Sequence, residues 1–370
     1  MVKTSKKSRL QQAQDKLGST INLTNITIED LGNHTKKLYE SLTKIQDLFD
    51  NIRNIPSDDK FEYKNLEKKK AAWKKQAENI GNEYKKTLVK NTGAGAAGAG
   101  LGIAVVTLGP TAAMGVATTF GLASTGTAIS ALGGAAATNA ALAWLGGGAL
   151  VAGGGGMAAG NAFLSMAGPV GWALAGVSLL ASGLLFFKNN NDKKKLENLF
   201  TVISYRDIKS YELAIVEILE RIKRIDDESL KLDEAIENIQ TLGLDYDLMA
   251  EKQQYALGSY VNLMHSSTQL LINPIKGLEA KFSIEDFDSF MNMDSKNANI
   301  GMYEDSKDVI ISLANMLYKI DIDDETKILL WKYLSKDKNF LKSMGISKKE
   351  FDIDIMNIVS GALEFKYKNI

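Results

Sequence analysis

The sequence predicts an all-α fold, and three observations support this prediction. Apolar residues recur every three or four positions over long segments, as on one face of an amphipathic helix. No segment shows the sustained apolar alternation of a half-buried β-strand. Residues 91–187 contain no charged residue, although both neighbouring regions are highly charged. We therefore expect an elongated helical bundle with a long coiled-coil helix, a Gly/Ala-rich apolar hairpin region and a small C-terminal helical domain.

Charge divides the 370 residues into three parts. Residues 1–90 hold 19 Lys and Arg against 12 Asp and Glu, and residues 188–370 hold 25 against 32. The basic part is expected either to pack against the acidic part or to meet anionic lipid. The absence of cysteine excludes disulfides and thiolate chemistry. No apolar stretch follows the charged start, so we expect synthesis in the cytoplasm, export only by a non-Sec route, and membrane association when active.

The region before the uncharged part is expected to contain a loose N-terminus and two helices. Residues 1–35 are polar and rich in Thr and Asn, which predicts a loose segment. Residues 36–90 are expected to form amphipathic helices of the bundle, because apolar residues fall at helical spacing among many lysines. Pro56, followed by Ser57, ends the first of these helices and begins the second.

The clearest periodicity lies in residues 188–282, where apolar residues are spaced alternately by four and three positions. This heptad pattern predicts a long helix over residues 193–241 that packs against a partner along its whole length. A second amphipathic helix is expected at about 246–281, bent or broken near Pro274. The residues of the predicted seam are Tyr211, Ile215, Ile218, Ile222, Ile225, Leu232, Ile236 and Ile239.

Residues 283–370 are expected to form a small C-terminal domain of three or four short helices. Two capping-box patterns mark helix starts, Ser283 with Asp286 and Ser347 with Glu350.

The uncharged segment, residues 91–187, holds 23 of the 32 glycines and no Asp, Glu, Lys, Arg or His. It could be a flexible linker, a permanently buried helix pair of a bundle, or a membrane-insertion segment. Its apolar content favours insertion over a linker. Leu101–Ala123 and Val170–Phe187 are the strongest spans, while Ala128–Leu145 and Ala149–Met166 are weaker.

Basic residues flank the uncharged segment on both sides, which predicts that both ends stay on one side of a bilayer and that the crossings are even in number. Glycines four residues apart allow close helix packing in lipid, and the pairs are Gly98 with Gly102 and Gly156 with Gly160. The residues expected to enter the membrane are Leu101, Ile103, Val105, Val106, Trp144, Leu145, Val170, Trp172, Leu179, Leu180, Leu184, Leu185, Phe186 and Phe187.

A coiled-coil body interrupted by an apolar hairpin resembles the bacterial α-pore-forming toxins of the cytolysin A and tripartite haemolysin type. The resemblance is architectural and covers about residues 90–245. The stretch from Ala141 to Gly160 is also similar to a glycine-rich segment of many bacterial proteins without assigned activity. The resemblance implies a membrane-perforating protein, acting as a toxin or as a cell-suicide, anti-phage effector, with a lipid bilayer and further copies or related helical subunits as partners.

Enzyme chemistry is not predicted, and no cofactor, metal, nucleic acid or small-molecule substrate is expected. Gly93, Gly95 and Gly98 spell GxGxxG, but they follow a helical pattern and lack a downstream acidic residue. His34 and His265 lack metal-ligand spacing, and the lysines of residues 68–75 fit a solvated helix face. The alternative to perforation is a non-lytic, membrane-anchored coiled-coil adaptor.

Overall fold

The structure is a computed structural model that describes residues 8–74, 189–293 and 306–368, apart from 59, 72–73, 274, 279–280, 338–339 and 342–345. The all-α prediction is confirmed for these ranges, where the regular elements are helices and the only β contact is an isolated parallel bridge between Arg53 and Asp245. The helices are α1 (Arg9–Asp50), α2 (60–71), α3 (Asn190–Thr241), α4 (Glu251–Ile272), α5 (Ile284–Met293), α6 (Lys307–Leu317), α7 (Asp324–Leu334) and α8 (Ile353–Lys368).

α1 and α3 lie side by side and run parallel, with a nearly constant offset in residue number. His34 Nδ1 lies 2.6 Å from Asp226 Oδ1, 192 residues later in the chain. Ser41 donates to Asp233 over the same separation of 192 residues. A helix rises about 1.5 Å per residue, so the pair forms a rod of about 60–80 Å. This rod is the frame on which the other helices pack.

The expected loose N-terminus over residues 1–35 needs correction, because α1 begins at Arg9 after the N-cap Ser8. Buried threonines replace larger apolar residues in this part of the interface with α3. Each threonine hydroxyl donates to a backbone carbonyl of its own helix, as Thr24 does to Thr20 O at 2.9 Å. This bond satisfies the buried hydroxyl, and packing against α3 supplies the stability that the local helix propensity lacks.

α2 and α4 each run back along one member of the pair. Tyr63 of α2 packs on Phe49 and donates to Asp50, near the end of α1. α4 contacts the middle of α3, where Ser266 donates to Glu228 at 2.7 Å. α4 begins at Glu251 and ends at Ile272, just before Pro274, the residue near which the helix expected over 246–281 was predicted to bend or break. The α1–α4 bundle therefore covers the second halves of α1 and α3.

The predicted seam of α3 faces the core of this bundle. Ile215 is only half-buried, because Ala214 occupies the adjacent core position. The remaining seam residues, Tyr211, Ile218, Ile222, Ile225, Leu232, Ile236 and Ile239, are all buried in the cluster shared with α1 and α4.

The C-terminal lobe, residues 281–368, shares a second core with the beginnings of α1 and α3. Leu10 and Phe200 belong to this core together with lobe residues such as Phe287. Within the lobe, buried Asn315 accepts from the backbone N–H groups of Lys281 and Phe282 and donates to Phe282 O. The lobe is therefore built onto the bundle and does not have a core entirely of its own.

The two predicted capping boxes have different structural roles. Ser283 and Asp286 exchange both expected hydrogen bonds at the start of α5. Ser347 and Glu350 also exchange both bonds, but they close a turn and not a helix start. Asp352 lies closer to α8 and accepts from Ile355 N. Asp352, and not Ser347, therefore caps the start of α8.

Candidate functional site: the attachment points of the uncharged segment

The chain leaves the described body at the end of α2. Lys70 of α2 is buried, donates to Thr43 Oγ1 at 2.9 Å and lies 5.1 Å from the centroid of the Tyr39 ring. Lys74 Nζ lies 5.9 Å from the same ring centroid. The departure point is therefore level with Tyr39 on α1. Lys70 also departs from the expected solvated lysine face, since its stem fills the gap between α1 and α2.

The chain returns at Asn189, the N-cap of α3. Asn189 has extended backbone angles, φ −94° and ψ 121°, and its side chain accepts from Asn191 N at 2.9 Å. Six residues later, Lys195 pairs with Glu325 of α7. The return point is thus fixed to the C-terminal lobe.

The two attachment points lie at different heights on the same rod. With the offset of 192 residues, Tyr39 of α1 lies level with residue 231 of α3. Asn189 lies about 42 residues before that level along α3. At about 1.5 Å per residue, this separation is about 63 Å. Residues 75–188, which include the uncharged segment, therefore connect two points that lie far apart along the axis of one helix pair.

Arg206 of α3, which is paired with the buried Asp207 of the same helix, joins α3 to the C-terminal lobe. The Arg206 guanidinium donates to Asp207 Oδ1 at 2.7 and 2.9 Å. It also donates to the carbonyls of Met316 and Tyr318, at 2.8 and 2.7 Å. These carbonyls lie at the C-terminus of α6, where helix backbone acceptors lack intrahelical partners. Arg206 therefore links α3 directly to the C-terminal lobe.

Asp207 is buried, and this raises the pKa of its carboxyl to about 6, although the Arg206 charge and hydrogen bond oppose the shift. Its Oδ2 atom and the Tyr211 hydroxyl, one turn away, are both buried without a hydrogen-bond partner in the described part of the chain. Burial also raises the pKa of Tyr211 well above its ordinary value. This part of the junction is held by one charged pair and leaves two polar atoms unsatisfied.

Sequence analysis missed Arg206 and Asp207, although a signal was present. Asp207 lies four residues before Tyr211 and therefore continues the heptad seam toward the N-terminus. A charged residue at a core position indicates a buried polar contact, and here the neighbouring Arg206 supplies it. The other partners of Arg206 are backbone carbonyls at the end of α6. No residue type in the sequence marks those carbonyls as the partners.

The residues predicted to enter the membrane, Leu101–Val106, Trp144, Leu145 and Val170–Phe187, lie outside the described residues, as do Gly98, Gly102, Gly156 and Gly160. Of the helices that the structure describes, none has the length and apolar content that a membrane crossing requires.

The histidines belong to different surroundings. His34 lies between Asp226 and Asp30 on the surface of the α1–α3 pair, and His265 is exposed on α4. In the described ranges, no group of three or more His, Cys, Asp or Glu side chains is arranged to hold a metal ion.

Comparison with known proteins gives no relative for this chain: no family model, curated protein or solved structure matches it.

Proposed function

We propose that the protein perforates membranes. In this proposal, the uncharged segment enters the bilayer as one or more hairpins while the helical body stays in water, and several copies assemble around the lesion. The protein would act as a toxin or as an effector that kills its own cell during phage infection.

One observation carries this proposal. A charge-free segment of 97 residues lies between Lys74 of α2 and Asn189 at the start of α3, and both of these residues belong to one charged helical body. A body with many exposed ionised side chains cannot follow the segment into hydrocarbon, because burying those charges in lipid is too costly. Both ends of the segment must then remain on the same side of the bilayer. A hairpin, or an even number of crossings, satisfies this constraint.

The separation of the attachment points gives further support. A segment that only connected two points about 63 Å apart would need about 42 residues as a helix, or about 19 if fully extended. The chain between Lys74 and Asn189 has 114 residues, which is more than twice the larger number. The surplus is long enough for two crossings of about 20 residues each.

The test is release of a self-quenching dye from liposomes by the purified full-length protein. Perforation predicts leakage that rises steeply with protein concentration, because several copies must assemble. The matched variant replaces Gly98, Gly102, Gly156 and Gly160 by Leu, which keeps the segment apolar but prevents close helix approach. This variant should bind liposomes as well as the wild type and release much less dye.

The same assay separates perforation from its alternative. A non-lytic adaptor anchored by the segment would sediment with liposomes and release no dye at any concentration. That outcome would replace the perforation proposal with the adaptor. If the Leu variant leaks as well as the wild type, the glycines do not serve assembly.

A further inference from the structure

α2 lies antiparallel to α1 and is held to it by a narrow row of contacts. Tyr63 donates to Asp50 at 2.9 Å, and Lys70, two turns further along α2, donates to Thr43 at 2.9 Å. Of residues 60–71, only three are buried: Tyr63, Leu66 and Lys70. α4, which covers α3 in the same bundle, buries seven side chains, most of them apolar. The contact between α1 and α2 is therefore small and depends on few side chains.

The α1 side of this contact contains a buried amide. Gln46 lies three residues after Thr43 and four before Asp50, so the three side chains share one stripe of α1. In the antiparallel pairing, Gln46 comes level with Leu66 and Glu67 of α2. It is 3% exposed, and its Nε2 and Oε1 atoms have no hydrogen-bond partner in the described part of the chain. Docking of α2 is disfavoured at this level, because water would bond to both atoms.

Lys70 adds a second unfavourable group to the same contact. Its ammonium is buried against the Thr43 hydroxyl and the ring of Tyr39, both of which are uncharged. Burial lowers the pKa of this ammonium to about 8. The charged form of Lys70 is therefore better solvated when α2 is away from α1.

The start of α2 is attached to the body more firmly than its far end. Arg53 exchanges two backbone hydrogen bonds of 2.9 Å with the loop between α3 and α4. Asn54 has a left-handed backbone conformation, φ 63°, and donates to Asp245 of the same loop at 2.8 Å. Pro56 follows, and its ring fixes the backbone where α2 begins. None of these bonds involves α2, so they hold the turn in place when α2 leaves α1.

We propose that α2 is a detachable arm. It leaves α1 by turning about residues 53–56 while α1, α3 and α4 stay assembled, and this movement precedes entry of the uncharged segment into the bilayer. The second step rests on the proposed function, whereas detachment itself does not. The 12 residues of α2 span about 18 Å, so turning the arm outward moves its far end by up to about 36 Å. The uncharged segment follows that end of the chain and gains this reach.

The first test measures detachment without lipid, from the labelling of single cysteines in the full-length protein, which has none of its own. Leu66→Cys reports on α2. Leu257→Cys is the matched control on α4, since the two leucines are 1% and 2% exposed. Maleimide should label residue 66 at least tenfold faster than residue 257, because labelling requires local opening and α2 opens more easily. Equal labelling rates would overturn the proposal.

A second set of variants tests the cause of detachment. Gln46→Met removes the unpaired amide and keeps a side chain of similar length. It should slow the labelling of residue 66 by about tenfold and change that of residue 257 less than twofold. Lys70→Met removes the buried charge and should act in the same direction, which gives an independent measurement on the same contact. Labelling of residue 66 that neither variant slows would overturn the proposal.

The third test connects detachment with insertion. Lys64 Nζ of α2 and Asp50 Oδ1 of α1 lie 2.7 Å apart, and both side chains are partly exposed. A short bifunctional maleimide with a reducible spacer can therefore bridge Lys64→Cys/Asp50→Cys. The bridged protein should release dye from liposomes at least tenfold more slowly than the same protein after reduction. The control Lys36→Cys/Glu40→Cys carries the same bridge within α1 and should release dye equally before and after reduction.

Failure of this inference can be distinguished from failure of the proposed function. The labelling rates are measured without lipid, whereas perforation is measured by dye release. Faster labelling of residue 66 in a protein that never releases dye would support detachment and contradict perforation. Dye release that the bridge between α1 and α2 does not slow would support perforation and overturn the proposed arm.

Discussion

At the scale of single residues, one carboxyl and one ammonium group are buried in the described part of the chain, and each joins parts of the molecule. Asp207 lies where α3 meets the C-terminal lobe, and Lys70 lies between α1 and α2, near the end of the described part of α2. Burial disfavours the charged form of both groups. Their ionisation should therefore change the stability of the contacts that they make.

Asp207 should make stability fall as the pH rises. Its folded-state pKa of about 6 lies above the ordinary value of 3.8, so the folded protein holds this proton more tightly than the unfolded chain. The stabilisation is fully present below about pH 4 and is lost as the pH rises through about 6, a change of roughly 2–3 kcal/mol. Urea unfolding of the wild type and Asp207→Asn between pH 4 and pH 7.5 measures this difference.

The control for this experiment is Asp227→Asn, on the exposed surface of the same helix. The Asp207→Asn variant keeps an oxygen that can accept from Arg206 but cannot ionise. Its stability relative to the wild type should therefore increase with pH, whereas that of Asp227→Asn should change little. Parallel pH profiles for the wild type and Asp207→Asn would show that the carboxyl of Asp207 is not perturbed.

Lys70 should have the opposite dependence on pH. Burial lowers its pKa to about 8 from the ordinary 10.5, against the opposing effects of Asp47 and Glu67. The stabilisation is present above about pH 10.5 and is lost as the pH falls through about 8.

Lys70→Met keeps an apolar stem and removes the buried charge. This variant should raise the free energy of unfolding at pH 7 by about 1–3 kcal/mol, even though it loses the bond to Thr43. The neighbouring, half-exposed Lys69 gives the control Lys69→Met, for which a change within about 0.5 kcal/mol is expected. A destabilised Lys70→Met variant in urea unfolding would show that the contacts of the ammonium outweigh its desolvation.

At the scale of elements, the turn Lys276–Leu278 fixes how closely the chain after α4 approaches α3. A Cβ atom placed on Gly277 would lie 2.5 Å from Ala214 N and 2.7 Å from Ala214 Cα. Gly277 N also donates to Glu217 at 3.0 Å. The turn therefore touches the backbone of α3, and a side chain at this position would force the two elements apart.

Two glycine substitutions test this approach. Gly277→Ala should lower the free energy of unfolding by about 1–3 kcal/mol through overpacking. Gly258→Ala is the matched change within α4, where nothing lies within 4 Å of the added Cβ, and it should stabilise the helix by up to about 1 kcal/mol. Thermal and urea unfolding of both variants measure these effects. A neutral Gly277→Ala would mean that α3 and the turn are farther apart.

At the scale of the whole molecule, the separation of the attachment points decides how the uncharged segment can be removed. Deleting residues 93–187 leaves 19 residues to join Lys74 to Asn189. Fully extended, they reach about 65 Å, barely more than the separation of about 63 Å. As a flexible chain, they would favour an end-to-end distance of only about 25 Å.

The direct deletion should therefore melt at a lower temperature than a variant in which a Gly/Ser linker of about 60 residues replaces the segment. Both variants should remain helical by circular dichroism, and neither should sediment with liposomes. Equal melting temperatures would contradict the separation inferred from the helix register. A linker variant that still sediments with liposomes at moderate salt would show that another element binds the membrane.

The sequence by itself determined the helical class, the long helix α3 and the limits of the uncharged segment. These features follow from local patterns: heptad spacing predicts one helix, and an abrupt loss of charge marks a boundary. The sequence did not reveal the helix over residues 9–35, because threonine and asparagine have low helix propensity when considered alone. Packing against α3 overrides that propensity.

Only the tertiary structure decided which elements meet. The parallel pairing of α1 with α3 joins residues 192 positions apart, as in His34 and Asp226, and a local pattern contains no information on such a partner. The same pairing sets Lys74 and Asn189 far apart and leaves Val216 and Leu219 on an outer surface. Arg206 likewise acquires its role only where the end of α6 reaches it. Long-range contacts of this kind depend on the global packing of the chain, which periodicity along the sequence does not specify.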